Sequence, residues 1–124
     1  MALERVALHH VNVTVPADRE AAAKDFYTQV LGLEEFPKPD AALSRGAWYQ
    51  LGAVQLHLSI EDGQPPSRRH VCYQVLDVEA ARRHFCKAGI EILDDERPIA
   101  GVERFFLRDP GGNRIEITRG DSEN

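Results

Sequence analysis

Short runs of alternating apolar and polar residues recur along the chain and predict β-strands. Within residues 8–15, three valines occupy alternate positions, and His10, Asn12 and Thr14 lie on the opposite strand face. Further strands are predicted within residues 34–42, 46–51, 54–60, 70–75, 90–92, 104–108 and 114–118. Residues 109–113 combine Asp, Pro, two Gly and Asn, a composition that predicts a tight turn between the last two strands.

Two segments carry the signals of helices instead. Asp18 is a candidate N-cap for a helix that continues to residue 30, and Gly32 suits the left-handed position that ends a helix. Asp77 and Gly89 occupy the equivalent positions around a second predicted helix, residues 78–88. The chain therefore mixes two helices with many short strands, which is typical of an α+β fold.

The order of the predicted elements repeats on either side of a linker rich in Gly and Pro, residues 61–69. Equivalent residues, separated by 60, 59 and 57 positions, are His10 and His70, Phe26 and Phe85, and Gly32 and Gly89. A near-constant offset indicates two copies of one strand–helix–three-strand module. Because each module would have one uncovered sheet face, we expect it to pair with a second copy.

The composition narrows the class of protein. The 124 residues, 43% apolar and 28% charged, predict a single globular domain (1–124), with modules at about 5–62 and 68–119. A net charge of −5 argues against a nucleic-acid surface, and no apolar run reaches the roughly 20 residues of a membrane span. Because a secretory signal pattern is lacking and two cysteines are too few for a disulfide framework, we expect a cytoplasmic protein.

Four of the predicted strands place a histidine or a glutamate opposite their apolar residues. These residues are His10, His57, His70 and Glu116. The apolar faces should pack under the helices, which leaves the other faces lined by three imidazoles and one carboxylate. This donor set suits a divalent metal such as Zn, Ni, Co, Mn or Fe. The alternation and the repeat together therefore predict a metal site.

Polar and aromatic residues on the same faces are candidates for substrate binding. They are Trp48, Asn12, Gln74 and Arg104. Asn12 and Gln74 share strand faces with candidate metal ligands, and alternation places Trp48 rather than Tyr49 on the cavity side. Arg104 has the charge to bind a substrate carboxylate, and a solvated surface position is the alternative. Asp95 lies in an acidic run that is predicted to be a solvated turn.

Several motifs resemble those of one superfamily. They are Leu8-His9-His10-Val11, Phe26-Tyr27 with Leu31-Gly32-Leu33, His70-Val71, and Asp109-Pro110-Gly111-Gly112-Asn113-Arg114-Ile115-Glu116. Together they resemble the vicinal oxygen chelate superfamily, which includes glyoxalase I, fosfomycin- and bleomycin-resistance proteins, methylmalonyl-CoA epimerase and extradiol dioxygenases. The resemblance implies two tandem βαβββ modules with cupped half-barrel sheets, usually paired in a homodimer around one metal.

The resemblance also implies the ligands, which would be His10 rather than His9, then His57, His70 and Glu116. Glyoxalase I usually carries Glu where this chain has His57, so this residue is either a ligand or a base beside the metal. Residues 46–52 resemble fosfomycin-resistance proteins, but residues 98–104 do not match their phosphonate-binding pattern. If the modules pair between chains, His10 and His57 come from one chain, and His70 and Glu116 from the other.

A metal with open positions can hold two neighbouring substrate oxygens while a base removes an adjacent proton. With Glu116 as that base, the resemblance implies a metal-dependent lyase or isomerase of the lactoylglutathione lyase type. The alternatives are an iron-dependent extradiol-type dioxygenase, and a fosfomycin- or bleomycin-type resistance protein acting by thiol transfer or drug sequestration. The expected partners are a small-molecule substrate and a second copy of the chain, without nucleic acid or membrane.

Overall fold

The computed structural model describes residues 1–39 and 45–120, so the end of the predicted 34–42 segment lies outside the described residues. The chain divides into two compact units, Met1–Gly63 and Gln64–Asn124. The division falls inside the segment predicted as a linker. None of the described helices is long and apolar enough to cross a membrane.

The first unit contains one mixed four-stranded sheet. Its elements are β1 (His10–Val15), a 3₁₀ turn (Ala17–Arg19), α1 (Glu20–Asp25), a π-helical turn (Phe26–Val30), β2 (Glu34–Phe36), β3 (Ala47–Leu51) and β4 (Val54–Ile60). The strands are ordered β1-β4-β3-β2; β1 and β4 run parallel, and the other pairs are antiparallel. The buried faces carry Val15, Tyr49, Leu56 and Leu58, as the alternation predicts. The opposite sheet face carries the candidate site residues.

The start of the first helix differs from the prediction, because Asp18 is not its N-cap. Asp18 lies inside the 3₁₀ turn, which closes when the amide of Arg19 donates to the carbonyl of Pro16 at 2.9 Å. Neither this turn nor α1 has a side-chain cap within the described residues. Instead, the amide of Ala17 donates to Asp62, which lies 45 residues further along the chain, at 3.1 Å. A residue distant in sequence therefore takes over a role that was expected to be local.

The second unit contains a mixed three-stranded sheet and the longer helix. Its elements are β5 (His70–Val75), α2 (Val78–Lys87), β6 (Arg104–Arg108) and β7 (Arg114–Arg119). The strand order is β5-β7-β6, with β5 parallel and β6 antiparallel to β7. The predicted cap is confirmed, since the Asp77 carboxylate accepts from the amide of Ala80 at 3.0 Å. Helix α2 buries Val78 and Phe85.

The strand predicted at residues 90–92 does not form. Directly after this segment, Leu93 makes an isolated bridge, in which its amide donates to the carbonyl of Phe106 at 2.8 Å. Two residues later the Asp95 side chain accepts from the amide of Arg97, and the backbone bends at residues 96–97. Strand pairing therefore ends after a single bridge.

The turn between β6 and β7 forms as predicted. The Asp109 carboxylate accepts hydrogen bonds from the amides of Gly111 and Asn113, both at 2.9 Å, and from the Asn113 side chain at 2.8 Å. Gly112 has φ of +91°, a conformation that glycine adopts without strain. This rigid turn sets the register of β7 and so the position of Glu116. With two open mixed sheets and few helices, the architecture is α+β, consistent with two βαβββ modules.

Candidate functional site

In the second unit, His70 and Glu116 lie side by side on one sheet face. Strands β5 and β7 pair in parallel with Cys72 opposite Glu116, and His70 precedes Cys72 by one pleat repeat. The Nε2 atom of His70 is 3.0 Å from Oε1 of Glu116, whose side chain is 11% exposed. Two distant predicted site residues are thus in direct contact.

The tautomer of His70 determines whether the ring nitrogen that faces Glu116 carries a proton or a lone pair. Its Nδ1 atom lies 2.9 Å from the backbone carbonyl of Arg68, and a carbonyl only accepts, so Nδ1 carries a proton. In the neutral ring the Nε2 lone pair then faces a carboxylate oxygen. Two lone pairs at this distance repel each other unless a proton or a cation lies between them.

The donor atoms also fit a divalent metal by distance. Metal bonds of about 2.1 Å, at the angles of common coordination geometries, place neighbouring donor atoms about 3.0 to 3.4 Å apart. The observed separation of 3.0 Å lies at the lower end of that range. Within the described residues, however, His, Cys, Asp and Glu form no cluster of three or more that could hold an ion.

The second oxygen of Glu116 faces Arg104, whose Nη1 is 3.5 Å from Oε2. Asp95 holds the Arg104 guanidinium through two hydrogen bonds of 2.9 and 3.2 Å, and the carbonyl of Arg97 accepts a third at 2.8 Å. The Arg104 side chain is only 14% exposed, so the solvated surface position considered for it is wrong. The solvated turn predicted for Asp95 is wrong as well, because this carboxylate orients Arg104.

The hydrogen bonds from Arg104 also change the pKa of the Asp95 carboxyl group. They hold the pKa of the Asp95 carboxyl below its ordinary value of 3.8, and the hydrogen bond from the Arg97 amide adds to this effect. Asp95 therefore stays ionised at neutral pH, and Arg104 keeps a fixed partner beside Glu116.

A cleft of 230 Å³ opens around these groups. It is lined by Arg68, His70, Asp95, Glu96, Arg97, Arg104, Phe106, Arg114 and Glu116. Four of the nine are arginines, and all nine belong to the second unit. Arg68, Phe106 and Arg114 were not among the site residues predicted from the sequence. The available signal for Arg114 was its shared strand face with Glu116.

Cys72 lies across the strand pair from Glu116. Partial burial, together with the negative charge of Glu116, raises the pKa of the Cys72 thiol to about 11. The thiol is therefore protonated at neutral pH, which disfavours a role as nucleophile or thiolate ligand. This agrees with the small number of cysteines in the chain.

In the first unit, three aromatic rings stack on the sheet face that carries the candidate residues. His57 is 8% exposed and lies between His10 and Trp48, with ring centroids 4.1 and 4.3 Å away. Burial, followed by the nearby charge of His10, lowers the pKa of His57 and favours the neutral imidazole. The side-chain oxygen of Gln55 lies 2.8 Å from Nε2 of His57, so Nδ1 is the ring nitrogen that keeps a lone pair.

The remaining predicted residues lie at separate places. Asn12 is exposed beside this stack and donates to the Ser59 hydroxyl at 2.9 Å. Gln74 is also exposed, pairs with Thr118 in the β5–β7 ladder and lies near Gly120. It is four residues, or about 13 Å of extended strand, from His70. The described residues thus contain two pairs of candidate ligands, one pair in each unit.

Comparisons with known proteins identify the family to which the chain belongs. A family model described as "Glyoxalase/Bleomycin resistance protein/Dioxygenase superfamily" matches residues 7–117. No curated protein matches the chain. A crystal structure of a glyoxalase family protein from Bacillus anthracis is 35% identical, with a TM-score of 0.82 over 98% of this chain and 100% of the other.

Two further structures are more distant. Lactoylglutathione lyase from Agrobacterium tumefaciens is 26% identical, covering 92% of this chain and 93% of its own, with a TM-score of 0.71. An E126Q mutant of the fosfomycin-resistance protein FosX from Listeria monocytogenes, complexed with Mn(II) and 1S,2S-dihydroxypropylphosphonic acid, is 15% identical. It covers 98% of this chain and 96% of its own with a TM-score of 0.79, a likeness of fold alone. From its fold and the family match, the chain belongs to the glyoxalase/bleomycin resistance/dioxygenase superfamily, also called the vicinal oxygen chelate superfamily.

Proposed function

We propose that this protein is a metal-dependent lyase or isomerase of the lactoylglutathione lyase type. The observation that carries the proposal is the contact of 3.0 Å between His70 and Glu116 inside the cleft. The 26% identity to a lactoylglutathione lyase over nearly the whole chain supports this subclass. The substrate would be a small molecule with adjacent oxygens, such as the hemithioacetal of methylglyoxal and a thiol.

The proposed ligand set is His70 and Glu116 in the second unit, with His10 and His57 in the first. Neutral imidazole nitrogens and a carboxylate oxygen are donors that Zn, Ni, Co, Mn and Fe accept. When bound, such a metal supplies a Lewis acid that polarises an oxygen of the substrate. The hydrogen bond from Nδ1 of His70 to a backbone carbonyl supports ligation, because it fixes the tautomer with a lone pair on Nε2.

Glu116 is the proposed base. Its carboxylate would take the proton from the carbon beside the substrate carbonyl and return it to the former carbonyl carbon. The hydroxyl proton would move to the former carbonyl oxygen, so the product is an isomer and no other reactant is needed. Arg104 donates a hydrogen bond to Oε2 and so limits rotation of the Glu116 carboxylate. Restricting its rotation would keep Glu116 near the geometry that proton transfer needs.

The other candidates take supporting roles in the proposal. Trp48 offers an aromatic surface beside His57, and Asn12 offers amide groups on the same sheet face. Arg104 acts on the substrate through Glu116, since its own hydrogen bonds are directed to Asp95, the carbonyl of Arg97 and Glu116. Gln74 is proposed for substrate binding on strand parity alone.

The decisive experiment combines metal analysis with an assay. Protein purified without chelators is analysed for bound metal, reloaded with each candidate metal and assayed with methylglyoxal and glutathione. Glu116→Gln should lower kcat by about 100-fold or more, because general-base catalysis contributes that much. Glu103→Gln is the matched control, since Glu103 is half exposed and pairs with Arg119 outside the cleft.

Either of two results would contradict the proposed function. If the wild-type protein does not bind any of these metals stoichiometrically, the proposed ligand set is wrong. If iron-loaded protein consumes O₂ with a catechol and leaves the hemithioacetal unchanged, the protein is a dioxygenase instead.

A further inference from the structure

The cleft in the second unit holds more positive charge than its carboxylates neutralise. Four arginines face three acidic residues there, the arginines being Arg68, Arg97, Arg104 and Arg114, and the acids Asp95, Glu96 and Glu116. The whole chain, in contrast, carries a net charge of −5. A basic cleft on an acidic protein concentrates anions locally.

The excess positive charge of the cleft does not come from Arg104. Its guanidinium donates to both oxygens of Asp95 and to the carbonyl of Arg97, and it faces Glu116 on its remaining side. With four hydrogen bonds, two of them to Asp95 and one to Glu116, the charge of Arg104 is compensated and its donors are already in use.

Arg114 is in the opposite situation. It lies two residues before Glu116 on β7, so both side chains project from the same strand face. Its guanidinium carbon lies 4.2 Å from the ring centroid of Phe106, and within the described residues the guanidinium makes no hydrogen bond or ion pair. Asp95 attracts Arg114 through space, but Arg104 already binds both of its oxygens.

Stacking on Phe106 matters because of the shape of the guanidinium. The ring holds it by its flat face, whereas its five N–H donors lie along the edge. A stacked arginine is therefore fixed in place while its donors remain available for a planar or tetrahedral oxyanion.

Two more arginines carry uncompensated charge at the cleft. Arg68 and Arg97 are exposed, and within the described part of the chain neither side chain forms an ion pair. The backbone carbonyls of the same residues fix His70 and Arg104. The segments that carry these charges are thereby tied to the candidate site.

We propose that this cleft binds an oxyanion group of the substrate, with Arg114 as its principal receptor and Arg68 and Arg97 supplying further positive charge. The substrate is then a small anion whose carboxylate or phosphoryl group lies at Arg114 while its reacting oxygens lie at His70 and Glu116. This inference rests on the proposed function, to which it adds a substrate class and a specificity-determining residue.

The test uses metal-free protein, so that an anion cannot bind through a metal. Acetate and inorganic phosphate are titrated separately, and backbone amide and arginine side-chain NMR signals report binding. We expect saturable shifts around β7, and Arg114→Gln should weaken binding about tenfold, as expected for loss of a charge-assisted contact. The probe that binds more tightly identifies the carboxylate or the phosphoryl class.

Arg119→Gln is the matched control, because Arg119 lies on the same strand, carries the same charge and pairs with Glu103 outside the cleft. It should leave anion binding unchanged. Arg68→Gln is a second variant at an exposed position, and it should weaken binding without affecting the fold. The absence of saturable binding by either probe, or equal losses in the Arg114 and Arg119 variants, overturns the inference.

Metal content of the same variants separates this inference from the proposed function. Arg114→Gln should retain metal, since Arg114 is not a proposed ligand. Wild-type protein that binds metal but no anion overturns only the inference. Protein that binds the anion but no metal overturns the proposed function and leaves the anion site in place.

Discussion

The buried carboxylate of Glu116 shows how individual residues shape the candidate site. It lies between Ile115 and Ile117, and such a charge is costly unless it is paired. His70 contacts one oxygen and Arg104 faces the other. The site thus gives each oxygen of a buried carboxyl group a polar partner inside a mostly apolar layer.

Gly46 provides a prediction at the scale of one residue. It has φ of +80°, and a Cβ added there would lie 1.9 Å from the backbone oxygen of Leu58. Gly46→Ala should therefore lower the free energy of unfolding by about 2 to 4 kcal/mol, through clash and backbone strain together. Urea denaturation measures this change.

Gly52 is the matched control for Gly46. Its φ is +59°, also in the left-handed region, but nothing lies within 4 Å of an added Cβ. Gly52→Ala should cost only about 1 kcal/mol, from backbone strain alone. Equal losses at the two positions would contradict the close approach of Gly46 to β4.

At the scale of elements, the helix starts give a second prediction. Asp77→Ala should lower the free energy of unfolding by about 1 kcal/mol, because it removes the hydrogen bond to the amide of Ala80. Asp18→Ala should change it by less than about 0.5 kcal/mol, as a surface substitution that removes no cap. Asp62→Ala should resemble Asp77→Ala, since it frees the amide of Ala17. Thermal or urea unfolding of the three variants tests this order.

The contact between α1 and the start of β3 gives a prediction for pH. Glu20 accepts a hydrogen bond from the amide of Gly46 at 2.6 Å and pairs with Arg45 at 2.9 Å. The amide hydrogen bond, aided by Arg45, lowers the pKa of Glu20 from its ordinary value of 4.5. A lowered carboxyl pKa stabilises the fold above the unfolded-state pKa, and this contribution disappears as the pH falls through the folded-state value.

Glu20→Gln tests this linkage. Its deficit in unfolding free energy should be about 1 to 2 kcal/mol at neutral pH and should shrink once the pH falls below about 4.5. Measurement of unfolding free energy against pH for both proteins gives the difference curve. A deficit that is independent of pH would show that the charge of Glu20 contributes nothing.

At the scale of the whole molecule, metal binding should increase the stability of the native state. A ligand at 100 times its Kd stabilises the native state by about 2.7 kcal/mol, provided the unfolded chain does not bind it. Adding the correct metal should therefore raise the Tm of the wild-type protein. His70→Ala should abolish the rise, and His84→Ala, a variant of a histidine on α2 outside the proposed ligand set, should retain it.

The family resemblance also predicts a homodimer, twice the chain mass of 13.9 kDa. Sedimentation with and without metal measures the assembly. If ligands are shared between chains, dilution to the monomer should release the metal. A monomer that keeps stoichiometric metal would refute that arrangement.

Much of this protein was readable from local sequence patterns. The alternation in β4 and β7 correctly predicted that Leu56, Leu58, Ile115 and Ile117 are buried, because strand geometry repeats every two residues, although His57 and Glu116 on the opposite face are buried as well. Asp77 and the turn at residues 109–113 were also predictable, since their hydrogen bonds join residues within four positions of each other. The repeat in the sequence predicted two modules, and the α+β fold is consistent with two βαβββ modules, although one sheet has four strands and the other three.

Tertiary structure decided the contacts that give the candidate site its chemistry. The hydrogen bond of Asp62 to Ala17 and the network of Asp95, Arg104 and Glu116 join residues between 9 and 45 positions apart. The strand predicted at 90–92 is absent, and only the isolated bridge between Leu93 and Phe106 forms beside it. Such contacts leave no periodic signal in the sequence, because they depend on which strands become neighbours and in which register. Local sequence thus determined the strand faces and the turn, whereas packing alone decided which charges meet across them.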